Sequence, residues 1–263
     1  MTHRVTLGFD RKLELPWLDA AAAAAGRGET PAVAREYLHG LLNGLLAGDG
    51  PHSGRGKTIT VLARVWLNPS PQADGLRARA LGLIDSATPA DRLAIHWAVC
   101  AATHAFFVDT AAAVGRLLKV QSNASLSQVT RRVAEKWGDR STLQRAVQRV
   151  CRSFVSWGVL QEGSTRGVYE PAPTRLAIGS SIGRLLIEGL LHGGGRASLP
   201  LAEVVRHPAL FPFDVEVRGG ELRASPEFRV DRQGLDVDVV TLAWGKPTRT
   251  PARQITLDSD AEV

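Results

Sequence analysis

Apolar residues recur along most of the chain at the three-to-four-residue spacing of amphipathic helices. In the first third, Thr30 followed by Pro31 is typical of a helix N-terminus, because threonine caps the helix and proline fits its first turn. Seven apolar residues with helical spacing come next, namely Val33, Tyr37, Leu38, Leu41, Leu42, Leu45 and Leu46. The pattern predicts that residues 1–87 form a helical N-terminal region.

The strongest helix signal lies between residues 88 and 109. Thr88 and Asp91 have the spacing of an N-terminal capping box, with Pro89 at the first helical position. The segment behind them is apolar on almost every side, and a helix of this kind belongs in the centre of a domain. One long buried helix is therefore predicted here.

Two amphipathic helices are predicted downstream of the long helix. Ser125 or Ser127 caps the first of them, which ends at a glycine. Ser141 caps the second, which runs to Trp157 and is also followed by a glycine. Together with the long helix and two short strands, they assign residues 88–175 to one domain.

The hydrophobic period changes from helical to alternating near the C-terminus. One more helix is predicted around Ile182 to Leu191. Beyond Phe213 polar and apolar residues alternate as in strands, and Gly219-Gly220 has the composition of a hairpin turn. The strands are predicted at 214–218, 228–230 and 237–244. Residues 176–263 are thus expected to hold a helix, a small antiparallel β meander and a flexible tail after Gly245.

The composition is that of a folded protein with a basic surface. The 263 residues are 44% hydrophobic and 22% charged, which excludes a wholly disordered chain. The formal net charge is +6, and 27 of the 32 cationic residues are arginine. A basic balance favours a polyanionic partner such as nucleic acid. Because a GC-rich genome also enriches arginine, the position of the charge is more informative than its amount.

Nearly all of the excess positive charge falls within residues 131–166. This segment holds eight cations and three acids, in a chain whose total net charge is +6. The cations are Arg131, Arg132, Lys136, Arg140, Arg145, Arg149, Arg152 and Arg166. Positive charge concentrated in one segment is the electrostatic pattern of a nucleic-acid-binding surface.

The same segment has the element order of a winged helix-turn-helix. The apolar face of its second helix consists of Leu143, Ala146, Val147, Val150, Phe154 and Trp157. The opposite face consists of Gln144, Arg145, Gln148, Arg149 and Arg152 and contains no acid. Two short strands follow, at 159–161 and 168–169, with Arg166 in the turn between them. The segment resembles winged helix-turn-helix DNA-binding proteins, with the 141–157 helix as recognition helix and the strands as wing.

This resemblance implies a non-enzymatic protein that binds double-stranded DNA, with no cofactor and no metal. The recognition helix would lie in the major groove, Arg166 would reach the backbone or minor groove, and Arg131 and Arg132 would clamp phosphates. The implied DNA-binding residues are Arg131, Arg132, Arg140, Thr142, Gln144, Arg145, Gln148, Arg149, Arg152 and Arg166. The fold class is α+β, mainly α: a helical N-terminal region, a central winged helix-turn-helix and a small C-terminal antiparallel β meander.

Winged helices also dock proteins, so an alternative function stays open. In this alternative the chain is an interaction or scaffold subunit whose winged helix binds partner proteins. Other protein subunits of a larger assembly are therefore a second class of partner. The sequence predicts neither the oligomeric state nor the DNA sequence that is bound.

One segment has the last residues of a phosphate-binding P-loop. Gly54-Arg55-Gly56-Lys57-Thr58 ends like that motif, but Pro51 stands where its first glycine is required. A leucine-rich helix also precedes the segment, whereas a P-loop follows a strand. A solvated loop is predicted instead of a nucleotide site.

Candidate metal and catalytic residues fit structural roles better. His96, Cys100 and His104 lie four residues apart, but three ligands on one straight helix cannot surround a metal tetrahedrally. Core packing is predicted for them. The enzymatic alternative is a metal-dependent nuclease, for which the carboxylates Asp231, Asp236 and Asp238 would be the candidate residues. Alternating acids of this kind are explained better as the solvent-facing side chains of a sheet.

Cysteine usage and the absence of apolar spans indicate a cytoplasmic protein. Cys100 and Cys151 lie in apolar helical segments without metal or redox spacing, which fits a reducing compartment. Asp10, Glu14 and Asp19 interrupt the apolar core that a signal peptide requires. No window reaches the roughly eighteen uninterrupted apolar residues of a membrane-spanning helix. No membrane association is therefore predicted.

The layout also resembles a second, narrower group. A helical N-terminal half leads to the segment RLAIHWAVCAATHAFFVD at 92–109, and a winged helix and a short C-terminal region follow. Over residues 75 to 175 this is similar to the BrxA-type accessory proteins of bacterial BREX phage-defence systems. The resemblance implies a DNA-binding component that works beside a methyltransferase and large ATPases. The strand region after Phe211 is longer than in that group.

Overall fold

The computed structural model describes residues 7–195, 198–233 and 237–243, and helices dominate these residues. The helices of the N-terminal third are α1 (Leu15–Gly26), α2 (Pro31–Leu41), α3 (Gly54–Leu62) and α4 (Pro71–Ile84). A π-helical segment, Ala63–Leu67, continues α3. The cap predicted for α2 is confirmed, since the Thr30 hydroxyl accepts a hydrogen bond from the Val33 amide at 3.4 Å.

The solvated loop predicted at residues 54–58 is wrong, because these residues form the first turns of α3. The Ser53 hydroxyl caps the helix by accepting from the Gly56 amide at 3.0 Å. Arg55 is buried, donates to the carbonyl oxygens of Gly48 and His39, and pairs with Asp49. The arginine thus fastens the preceding loop to the helix.

The predicted long helix is also wrong, because a sharp bend divides it in two. α5 (Pro89–Thr103) and α6 (Ala105–Val120) meet at His104 and are bent by 119°. The Thr103 hydroxyl donates back to the Val99 carbonyl at 2.8 Å, and such back-bonding favours bending of a helix. Among the described residues, no single helix is long and apolar enough to cross a membrane.

The predicted helix-turn-helix and its two following strands are confirmed. The elements are β1 (Ala124–Ser125), α7 (Leu126–Trp137), α8 (Leu143–Ser156), β2 (Leu160–Glu162) and β3 (Val168–Pro171). β3 lies between β1 and β2 and is antiparallel to both, so the two wing strands are joined to the strand that precedes α7. α6 packs against α7 and completes the unit.

Local capping sets where α7 begins and ends, but it does not set the start of α8. α7 has a full capping box, in which the Ser125 hydroxyl accepts from the Gln128 amide and the Gln128 side chain accepts from the Ser125 amide. α7 ends at Gly138, whose φ of +72° favours glycine. The cap predicted at Ser141 is wrong, because α8 begins at Leu143 and Ser141 lies in the turn before it.

In the part of the chain that the structure describes, the C-terminal region combines three α-helices and a short 3-10 helix (Pro208–Leu210) with two small sheets. The helices are α9 (Ser180–Gly193), α10 (Leu201–Val204) and α11 (Gly219–Ala224). The strands are β4 (Leu176–Ile178), β5 (Ser198–Pro200), β6 (Phe213–Val215), β7 (Phe228–Gln233) and β8 (Val237–Leu242). β4 and β6 pair in parallel, whereas β8 lies antiparallel between β5 and β7.

The hairpin predicted at Gly219-Gly220 is wrong, because these glycines begin α11. The Glu221 carboxylate accepts from the Arg218 amide at 2.7 Å, which satisfies a backbone donor at the start of this helix. The antiparallel pairing of β7 with β8 is confirmed. Asp236, Trp244 and the tail after Gly245 lie outside the described residues.

Side chains from all three sequence regions lie in one continuous core. α9 approaches α5 so closely that a Cβ atom at Gly193 would overlap the carbonyl oxygen of Ala101 and lie 2.9 Å from its carbonyl carbon. Nearby, the buried Trp97 ring contacts aromatic rings from several elements, namely Phe107, Phe154, Trp157, Phe211 and Phe213. These contacts join the winged helix to the C-terminal region.

A buried histidine at the bend makes the fold sensitive to acid. Burial and then the nearby Arg64 charge lower the pKa of His104 from 6.5 to about 3, so its imidazole is neutral in the folded protein. In the unfolded chain the imidazole gains a proton as the pH falls below about 6.5, whereas the folded state excludes this proton until about pH 3. Stability conferred by neutral His104 is therefore lost as the pH falls through this window.

We expect His104 to contribute a loss of about 1.4 kcal/mol in the free energy of unfolding for each pH unit between about pH 6 and pH 4. The variant His104→Asn removes this titration and keeps a polar partner for Thr103, whose hydroxyl lies 2.8 Å from His104 Nδ1. Urea unfolding as a function of pH measures the slope. An identical slope in the variant would contradict the assignment.

Candidate nucleic-acid interface

α8 buries one face and presents a polar face to solvent. Its buried side chains are Leu143, Ala146, Val147, Val150, Cys151, Ser153 and Phe154. On the opposite side Gln144, Arg145 and Arg152 are exposed and Gln148 is half-buried. The helical period of 3.6 residues brings these four side chains to one face. Amide and guanidinium groups of this kind hydrogen-bond to base edges and phosphates.

Contacts with distant parts of the chain fix the orientation of α8. The Leu13 amide donates to the Ser153 hydroxyl at 2.9 Å, and the Trp157 indole donates to the Leu13 carbonyl at 2.9 Å. On the buried side, the Phe154 ring stacks on Trp97 with 4.8 Å between centroids. The N-terminal segment and the core therefore hold α8 from two directions, and its polar face is left open.

Arg149 lies on the side of α8 that the N-terminal segment covers. Its guanidinium is half-buried and donates to the Asp10 carbonyl at 2.8 Å. Burial lowers the pKa of Arg149, and the neighbouring Arg11 and Arg145 charges act in the same direction. Part of its hydrogen-bonding capacity is used within the protein, so the structure does not leave Arg149 as open as Arg145 and Arg152.

Arg140 and Thr142 lie at the N-terminal end of α8. Arg140 is half-buried and its Nε donates to the Trp137 carbonyl at 3.1 Å, which closes the turn between the two helices. Thr142 is exposed at the N-cap position, but its side chain makes no capping hydrogen bond. Because helix N-termini attract anions, both residues border a position that favours phosphate.

The wing is tied to the beginning of α7. The Leu126 amide donates to the Gly167 carbonyl at 2.7 Å, and the Gly163 amide donates to the Val168 carbonyl at 2.9 Å. Gly167 has a φ of +78°, which the turn between the wing strands requires. Arg166 is exposed in this turn. The wing thus adds a cation to the surface beyond the end of β2.

The cations of α7 do not all share the surface of α8. Arg131 and Arg132 are both exposed. Arg132 lines a cavity of about 530 Å³ together with Arg116 and Lys136, and no residue of α8 lines this cavity. The structure therefore brings Arg132 together with α6 and with the C-terminal region instead of with the polar face of α8.

Sequence reasoning missed two cations that lie beside α8, Arg11 and Lys12. Lys12 and Arg152 line a second cavity of about 350 Å³, together with Val155, Ser156 and Glu162. Arg11 lies close enough to Arg149 to lower its pKa. Lys12 and Arg11 carry no local signal, because only the fold brings residues 140 positions apart in sequence together.

The described residues considered for metal binding or catalysis are buried in the core or paired with other side chains. Among the described residues, no three histidine, cysteine or acidic side chains form a group that fits a metal ion. Burial lowers the pKa of His96, whose Nε2 lies 2.9 Å from the Asp19 carboxylate, and burial raises the pKa of the Cys100 thiol. Asp231 and Asp238 each pair with an arginine.

The structure thus places Gln144, Arg145, Gln148 and Arg152 on one face of α8 and leaves Arg166 exposed in the turn between the wing strands. Their geometry and charge carry the functional argument, because comparison with known protein families, curated proteins and solved structures finds no match for this chain.

Proposed function

We propose that this chain is a non-enzymatic duplex-DNA-binding protein that inserts α8 into the major groove. One observation carries the proposal: the solvent-facing side of α8 holds two arginines and two glutamines and no acid. Arginine pairs with guanine edges and with phosphates, and glutamine pairs with adenine edges. An exposed helix of this composition is the usual reading element of a helix-turn-helix.

Four arginines that are not neutralised within the protein support this function. Among the described residues, the side chains of Arg131, Arg145, Arg152 and Arg166 take part in no ion pair or hydrogen bond. An unpaired guanidinium keeps its five N–H donors available to phosphate oxygens. Release of counterions from DNA then provides the free energy of binding.

The dimensions of α8 and its surroundings suit the major groove. The 14 residues of α8 extend about 21 Å at about 1.5 Å per residue. The groove is about 12 Å wide and admits one helix. Arg166 in the wing turn would contact the backbone or the adjacent minor groove when α8 is in place.

The salt dependence of DNA affinity tests the proposal. With four phosphate contacts, the logarithm of the association constant should fall against the logarithm of salt concentration with a slope of about −3.6. Fluorescence anisotropy with a labelled random-sequence duplex between about 50 and 200 mM salt measures this slope. The variant Arg145→Ala/Arg152→Ala should halve the slope to about −1.8 and weaken binding roughly tenfold or more.

The matched control, Arg35→Ala/Lys57→Ala, removes the same charge from α2 and α3 and should keep the parental slope. Affinity that does not depend on salt, or unchanged binding by Arg145→Ala/Arg152→Ala, would contradict the proposal. Capture of a partner protein together with no binding to any duplex would favour the alternative function, a winged helix that docks proteins.

The cellular role that we infer is that of a cytoplasmic regulator or of a DNA-targeting accessory subunit in a phage-defence-type assembly. The resemblance of residues 75 to 175 to BrxA-type proteins supports the second role. Adjacent genes for a methyltransferase and large ATPases would favour the accessory subunit. An isolated gene would favour the regulator.

A further inference from the structure

α2 and the turn after it expose more apolar side chains than the core of the protein uses. Seven apolar residues with helical spacing run from Val33 to Leu46, but only Leu38 and Leu42 are fully buried. Four of the six large hydrophobic side chains exposed among the described residues lie here, namely Val33 (53%), Tyr37 (43%), Leu41 (39%) and Leu45 (63%). Neighbouring apolar side chains that reach solvent together are typical of an interaction surface.

Three of these exposed side chains form a ridge on α2. Val33, Tyr37 and Leu41 are four residues apart, so they follow one another along one side of the helix. We call them the α2 ridge. The Arg27 guanidinium lies 5.5 Å from the centroid of the Tyr37 ring and supports this ring in the middle of the ridge. The buried side of α2 packs against α1, α3 and the π-helical segment, which leaves the ridge directed away from the core.

A groove lies beside the α2 ridge. Gly40 is three residues from Tyr37, is exposed, and has no atom within 4 Å of the position that a Cβ would take. Gly44, in the turn after α2, is exposed and equally open. Helices pack by placing the ridge of one into the groove of another. When a copy of α2 is turned by 180° about an axis parallel to the helix, the ridge of each copy faces the groove of the other. The face is therefore complementary in shape to itself, as a two-fold interface requires.

The charges around the α2 ridge also favour a second copy of this chain. α2 and the turn before it carry two cations, Arg27 and Arg35, and two acids, Glu29 and Glu36. Arg27 already pairs with Glu29 at 2.6 Å. This part of a chain with a net charge of +6 is thus neutral, so two copies do not repel each other here. A helix that lies on an anionic membrane has a polar face rich in lysine and arginine instead.

The size of the face predicts a weak dimer. The outward half of the 11-residue α2 has roughly 250–300 Å² of surface, for a rise of about 1.5 Å per residue and a diameter of about 10–12 Å. A specific interface needs about 500 Å² or more from each partner. α2 alone therefore supplies about half of this area. The mostly exposed residues 43–52, which follow α2, would supply the rest.

We propose that two copies of this chain associate through α2, with the α2 ridge of each copy packed into the groove at Gly40 of the other. The inference rests on α2 alone and not on DNA binding by α8. It is compatible with the proposed function, because a dimer carries two copies of α8 and two-fold dimers bind DNA sites that consist of two half-sites.

Sedimentation equilibrium of the full chain tests the association. We expect a reversible monomer–dimer equilibrium with a dissociation constant of roughly 10–100 μM, measured between about 1 and 200 μM protein, because the interface is small. Gly40→Gln should weaken association at least about tenfold by filling the groove. Since this side chain meets no neighbour in the monomer and glutamine favours a helix over glycine, the unfolding temperature should not fall. The matched control Gly82→Gln, at an equally open position of α4, should associate as the parent does.

A charge exchange tests whether the occupant of the face is a second copy. Val33→Glu/Leu41→Glu and Val33→Lys/Leu41→Lys should each weaken self-association at least about tenfold, because equal charges then meet across the two-fold axis. An equimolar mixture of the two should associate about threefold more tightly than either variant alone, because opposite charges then meet. The control Val120→Glu, which changes an exposed valine of α6, should associate as the parent does.

Several results would overturn the proposal. A parental chain that stays monomeric at the highest concentration would do so. Unchanged association of Gly40→Gln or of the glutamate variant would place the dimer interface elsewhere, and a mixture that associates no better than its components would contradict the two-fold contact. A monomer that floats with phosphatidylserine vesicles would assign the face to a membrane, and a monomer that binds a different protein through α2 would assign it to that protein. No measurement contains DNA, so failure here and failure of DNA binding are distinguishable.

Discussion

The substitution Gly193→Ala should destabilise the protein by about 3 kcal/mol, because there is no room for a methyl group between α9 and α5. A Cβ atom at this position would overlap the Ala101 carbonyl oxygen and would lie 2.9 Å from both the Ala101 carbonyl carbon and Val108 Cγ2. Backbone atoms cannot turn aside as a flexible side chain does, so the two helices must separate. For a protein of this size the unfolding temperature should fall by roughly 6–12 °C.

The matched control is Gly82→Ala, the same substitution in α4. Gly82 is exposed and a Cβ atom there would have no neighbour within 4 Å. Alanine should therefore stabilise the protein by about 0.5–1 kcal/mol through its higher helix propensity. Urea denaturation of both variants gives the comparison. A Gly193→Ala variant as stable as the parent would show that α5 and α9 do not approach each other as described.

The substitution Trp97→Ala should lower the free energy of unfolding by about 3–5 kcal/mol, the range found for large aromatic side chains in cores. Trp97 is 1% exposed, stacks on Phe154 of α8 and contacts Phe211 and Phe213 of the C-terminal region. Its indole also donates to the Ala209 carbonyl at 3.1 Å. Removal of the ring leaves a cavity where three parts of the chain meet.

The variant Trp97→Phe separates packing from hydrogen bonding. Phenylalanine keeps most ring contacts but leaves the buried Ala209 carbonyl without its donor, so we expect a smaller loss of about 1–2 kcal/mol. Denaturant unfolding followed by circular dichroism measures both variants. Equal losses in the two would show that the hydrogen bond, and not the ring cluster, carries the contribution of Trp97.

Elements that local interactions determine could be predicted from sequence. α7 follows from a serine cap, for which the sequence offers Ser125 or Ser127, and from the glycine at its end, and the polar face of α8 follows from the 3.6-residue period. Both signals lie within a few residues of the structure that they specify. The helix-turn-helix can therefore be predicted from the sequence before any tertiary contact is known.

Elements that depend on distant contacts could not be predicted in this way. The bend at His104 contains no proline or glycine that would signal it in the sequence. The hydrogen bond from the Thr103 hydroxyl to the Val99 carbonyl favours bending there. Gly219-Gly220 has the composition of a hairpin, but the Glu221 cap turns it into a helix start. Within the candidate site, only the fold reveals that Arg149 donates a hydrogen bond to the Asp10 carbonyl. Likewise, only the fold reveals that Arg132 lies beside α6.

The hydrogen bonds between the N-terminal segment and α8 also determine whether the winged helix is a portable module. Excision of residues 88–175 would remove Leu13, whose amide and carbonyl satisfy the Ser153 hydroxyl and the Trp157 indole. The fragment would also expose apolar surface that the first helices cover. α8, the helix that we expect to contact DNA, therefore depends on residues outside 88–175. Grafting it onto another protein would also require the N-terminal segment around Leu13.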